Sequence, residues 1–81
     1  MYKNKSKDGT LNICGQNIKE LRKAMKPVVS QRALADKLQL LGIDLDKNAI
    51  QRIEAGKRFV TDTELKAFAE IFDTTTDELL K

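Results

Sequence analysis

The 81-residue sequence has no histidine, no tryptophan, one cysteine and one proline. Without histidine, and with Cys14 as the only thiol, no usual zinc constellation can be assembled and no internal disulfide can close, so a reducing compartment is expected. The same gaps leave little for catalysis: there is no histidine to move a proton and no glycine loop to cradle a phosphate, and Cys14 falls among apolar positions. Only surface carboxylates remain, so neither enzymatic activity nor a metal or cofactor is expected. Aromatic residues are few, three Phe and one Tyr, which points to a core of aliphatic side chains. No apolar run approaches the roughly 18 residues of a membrane span, and the opening "MYKNKSKDGT" lacks the apolar centre of a signal peptide, so the expectation is a cytoplasmic protein with no membrane contact. Alternating apolar segments flanked by turns are missing as well, and with them any convincing strand.

What is present is charge, unevenly placed. Residues 14–60 hold ten Lys and Arg against five acids, while residues 61–81 hold two against six. A polyanion would be drawn to the middle of the chain and repelled from its end. The length suits one small domain, which buries roughly 60–65% of its unfolded surface and leaves no material for a second core. Residues 1–11, polar and carrying Lys3, Lys5 and Lys7, read as a flexible basic arm, either solvated or reaching along a groove. The folded unit is then residues 12–81.

Five amphipathic segments follow. Cys14, Ile18, Leu21 and Met25 recur at helical spacing up to Pro27, with Cys14 as a small apolar member of that seam. Ser30 suits an N-cap for a second helix whose seam is Leu34, Leu38 and Leu41, with Gly42 as a left-handed exit. Asp46 caps a third, where Leu45 can pack on Ile50 as a hydrophobic staple, and Gly56 closes it. "TDTE", Thr61 to Glu64, is a capping box opening a fourth helix with Leu65, Phe68, Ala69 and Phe72 on one side. "TTDE", Thr75 to Glu78, repeats the pattern before Leu79 and Leu80. Each of these caps contributes about 1 kcal/mol. Phe72, Leu79 and Leu80 suit either the core or a contact with a second copy.

The third helix divides sharply. Ala49, Ile50 and Ile53 share one side, and Lys47, Asn48, Gln51, Arg52 and Ala55 fall on the other, which has no acid to repel phosphate. Asn and Gln can meet adenine N6 and N7 with paired hydrogen bonds, and Lys and Arg can donate to guanine O6 and N7. A solvated surface helix would carry similar residues, so periodicity alone leaves both readings open.

The combined text "IKELRKAM…SQRALADKL…NAIQRIEAGKRF…TDTELKAFAEIF…TTDELL" is more specific. It resembles the lambda-repressor and Cro-like, Xre-type helix-turn-helix regulators over roughly residues 13–80. The resemblance implies an all-α, compact five-helix DNA-binding domain with the helix-turn-helix in helices 2 and 3. It implies a sequence-specific regulator of bacterial, phage or mobile-element origin, more often a repressor, whose recognition helix, residues 47–55, enters the major groove of double-stranded DNA. Lys47, Asn48, Gln51 and Arg52 would then meet base edges. Gln31 and Arg32 at the start of helix 2, with Lys57 and Arg58 beyond helix 3, would hold phosphates, which set register without reading sequence. In similar proteins an acid matching Glu54 pairs with the arginine here numbered 22, which makes that pair scaffold. A homodimer on half-sites about 34 Å apart is the expected state. The other reading the resemblance allows is a protein-interaction module, an antitoxin or adaptor docked on a toxin or anti-repressor.

The sequence departs from the family between Leu38 and Ile50, where "QLLGIDLDKNA" supplies about five residues more than a compact turn uses. The connection "KPVV" is also slightly long. Leu41, Ile43 and Leu45 suggest that the insertion is anchored by packing.

Overall fold

Each amphipathic segment becomes a helix. The computed structural model describes residues 9–81, in which α1 spans Gly15–Ala24, α2 Gln31–Leu40, α3 Lys47–Glu54, α4 Asp62–Ile71 and α5 Thr76–Leu79, with no strand among the described residues. This is the expected all-α, five-helix architecture. Lys3, Lys5 and Lys7 lie outside the described residues.

Polar side chains start the helices where the sequence places them. Ser30 Oγ accepts from Ala33 N at 3.0 Å and Asp46 Oδ1 from Ala49 N at 2.8 Å. Thr61 and Glu64 form a complete box: Thr61 Oγ1 accepts from Glu64 N at 3.2 Å and Glu64 Oε1 from Thr61 N at 3.0 Å. The second box is only half built. Thr75 Oγ1 accepts from Glu78 N at 3.1 Å, but the Glu78 carboxylate turns to Lys81 Nζ at 2.8 Å. α1 is started from further back, by Asn12 Oδ1 accepting from Gly15 N at 2.7 Å.

The exits of α2, α3 and α4 share one device. Gly42, Gly56 and Asp73 adopt φ of 80°, 75° and 53°, and the residue after each donates back five positions: Ile43 to Leu38, Lys57 to Arg52, Thr74 to Ala69. Reversal of hand at that point satisfies carbonyls the helix leaves open. It also corrects one sequence expectation. Leu41 was placed in the apolar seam, yet it is 40% exposed, because the chain reverses immediately after it and Ile43 swings back against the core in its place. Leu45 follows Ile43 inward, so the inserted connection, residues 41–46, is tied down at two points.

Ile18, Leu34, Leu38, Ile50, Ile53, Phe68 and Leu79 are fully buried, and each contributes roughly 1.5–3 kcal/mol through the apolar surface it withdraws from water. They join α3 to α1 and α2, and α4 to α2 and α5. Phe72 stacks on Phe68 at 6.5 Å between ring centres, whereas Leu80 stays 41% exposed. Cys14 is buried within this core, and burial pushes its thiol up to about 11.

Candidate nucleic-acid interface

α3 is eight residues long, too short to be helical on its own, so its neighbours must hold it. Ala49, Ile50 and Ile53 are buried, and Lys47, Asn48, Gln51, Arg52 and Ala55 are all exposed. The four side chains expected at base edges therefore share one solvent-facing surface.

Three sets of contacts fix that surface in place. At the carboxyl end of α3, Glu54 lies buried and takes Arg22 Nε at 2.7 Å on one oxygen and Arg22 Nη2 at 2.9 Å on the other. Arg22 Nη1 goes on to Val29 O at 2.9 Å, and Gln31 Nε2 donates to Glu54 Oε1 at 3.1 Å. The hydrogen bonds that Arg22 donates to Glu54 raise its basicity further, against the desolvation that opposes it. This paired fork geometry is the strong form of a carboxylate contact.

The second set comes from the segment before α1 and was not foreseen from sequence. Asn12 Nδ2 donates to Ile53 O at 3.1 Å and to Arg58 O at 2.7 Å, while its Oδ1 starts α1. Leu11 N donates to Gly56 O at 2.8 Å. Gly15 packs so tightly on α3 that an added Cβ would overlap the Ile53 carbonyl. The end of the segment read as a basic arm is thus bonded to the exit of α3. The only local signal was an Asn three residues ahead of a helix-opening Gly. The third set is the amino-terminal cap by Asp46.

The residues expected on phosphates are placed unequally. Arg32 and Lys57 are exposed, and Gln31 is half-buried with its amide on Glu54. By helix geometry the N–H groups of Gln31 and Arg32 are left for a ligand, since Ser30 takes that of Ala33. Arg58, also expected on a phosphate, is half-buried: its guanidinium is held at 3.0 and 3.3 Å by Glu64, and Nη1 also donates to Phe59 O at 2.9 Å, so it fastens the α3–α4 loop to the first turn of α4. Burial would raise Glu64, but hydrogen bonds from Arg58 and Thr61 outweigh it and hold this carboxyl below its usual range.

Between α2 and α3 the connection is open. Leu40 is 87% exposed, and Gln39, Gly42, Ile43 and Asp44 line a shallow depression of about 240 Å³. α2 runs ten residues before it, and six residues, 41–46, separate it from α3.

Among the described residues no group of His, Cys, Asp or Glu is placed to hold a metal ion, and no helix is long and apolar enough to cross a membrane. No curated protein and no solved structure gives a significant match to the chain. The profile of a helix-turn-helix family does match, over residues 18–79, from the middle of α1 to the end of α5. With α2 and α3 packed on one another and α3 turned outward, the chain belongs to the lambda-repressor and Cro-like, Xre-type helix-turn-helix family of DNA-binding regulators.

Proposed function

We propose that the protein is a repressor of bacterial, phage or mobile-element origin that occupies an operator as two copies, each inserting α3 into the major groove of one half-site. The observation that carries this reading is the outward face of α3, where Lys47, Asn48, Gln51 and Arg52 stand exposed over a fully buried Ile50 and Ile53. Asn48 and Gln51 serve adenine edges and Lys47 and Arg52 guanine edges. Arg32, Lys57 and the amino end of α2 hold phosphates and set the register. Arg58 acts from behind, keeping the loop that carries Lys57 against α4. Half-sites about 34 Å apart place both copies on one side of the duplex.

The test is selection of bound duplexes from a random pool, followed by the same selection with Asn48→Ala and Gln51→Ala. The parent enriches a two-fold symmetric motif, and each variant loses preference at one base pair by roughly 1–3 kcal/mol. Variants that return the parent's motif unchanged would show that other side chains do the reading, and an asymmetric or absent motif would favour a protein partner over an operator.

A further inference from the structure

The base-reading face carries no acid, yet an acid stands directly ahead of it. Asp46 is exposed and precedes Lys47, the first residue of α3. Its side chain is not free to swing: Oδ1 is held by Ala49 N at 2.8 Å. The second oxygen, Oδ2, has neither a hydrogen bond nor an ion pair among the described residues, although Lys47 adjoins it in sequence. Gly42 and Asp44, in the connection that leads to it, are exposed as well.

In a recognition helix the amino-terminal residues are the ones that meet base edges. A carboxylate there can only accept. Phosphate oxygens, guanine O6 and N7 and thymine O4 are themselves acceptors and repel it; of the two major-groove donors, adenine N6 stands next to the acceptor N7 of its own base, which also repels a carboxylate, so cytosine N4 is the better partner. A pinned acceptor also lowers affinity for every register in which no amino group faces it, which is discrimination by penalty as much as by attraction. Resting on the operator-binding reading above, we infer that Asp46 is a further specificity-determining residue, whose Oδ2 accepts from cytosine N4 at one position of each half-site. Asp44, two residues earlier and without an anchoring hydrogen bond among the described residues, contributes only a diffuse negative charge.

The experiment is duplex selection with the whole chain as parent, Asp46→Asn, Asp46→Ser and Asp44→Asn, with melting temperatures measured alongside. Asn and Ser keep the N-cap, so both variants fold. The parent enriches a cytosine at one position of each half-site. Both Asp46 variants lose that preference by roughly ten-fold while the rest of the motif persists, and Asp44→Asn keeps it while binding all duplexes somewhat more tightly. Retention of the cytosine by the Asp46 variants, its loss in Asp44→Asn, or an even gain in affinity of the Asp46 variants for every sequence overturns the inference and leaves the operator reading intact. A parent that enriches no motif brings down that reading itself, and this inference with it.

Discussion

Replacing Arg22 by Met tests what holds α3 on the domain. The parent pair is bidentate and buried, with both side chains under a tenth exposed, and among the described residues Glu54 has one other partner, Gln31 Nε2 at 3.1 Å. Arg22→Met strands the carboxylate with that single neutral donor and leaves the Val29 carbonyl without its guanidinium. Breaking a buried pair from one side costs roughly 3–5 kcal/mol, because the remaining charge stays desolvated. A domain of this size has about 4–12 kcal/mol in total, so the loss is about a quarter of it or more. The lower figure, about 3 kcal/mol, corresponds to a fall in melting midpoint of roughly 12–24 °C. Arg22→Met combined with Glu54→Leu removes both charges and should recover most of that loss, since apolar replacement of a whole buried pair is near neutral. Urea denaturation of the parent, both single variants and the double variant completes the cycle. A single-variant cost below about 1 kcal/mol, or losses that simply add, would refute the reasoning.

Three further outcomes are expected. Gly15→Ala should destabilise by about 1–3 kcal/mol through overlap with the Ile53 carbonyl, although helix propensity alone favours Ala by up to about 1 kcal/mol; a more stable variant in thermal melts would contradict the close approach of α1 and α3. With its thiol pushed up to about 11, Cys14 should react with an alkylating agent at pH 8 about 200-fold more slowly in the native chain than in urea, and native labelling within ten-fold of the unfolded rate would show that it is not sequestered. Because Glu64 is depressed in the folded state, its stabilisation is present above the ordinary carboxylate value of about 4.3 and is lost as pH falls through the folded value; Glu64→Gln should therefore cost more stability at neutral pH than in acid, and a constant difference as pH falls would argue against the Arg58 pairing.

The parts of this fold legible in sequence are those whose causes are local. Ser30, Asp46 and Thr61 cap helices because each needs only a backbone N–H three residues on. The outward face of α3 follows from the helical repeat alone. Leu41 was misplaced because a periodic seam was extended one step past a hand reversal that only a left-handed Gly42 produces. The bond from Arg58 to Glu64 is less legible, because the capping box alone already accounts for Glu64. Asn12 and Gly15 were invisible for a different reason. Their partners lie some forty residues away, with separations of 41 and 46 for the two Asn12 bonds, and no local pattern encodes a contact of that range.

The contacts of Asn12, Arg22 and Asp46 hold both ends of α3 before any duplex arrives. Encounter with DNA thus has no segment of this helix to wind up, and no ordering entropy is charged against affinity at that step. Association should run at a rate set by collision, charge and orientation, with a calorimetric signature free of the large heat-capacity change that accompanies folding on contact.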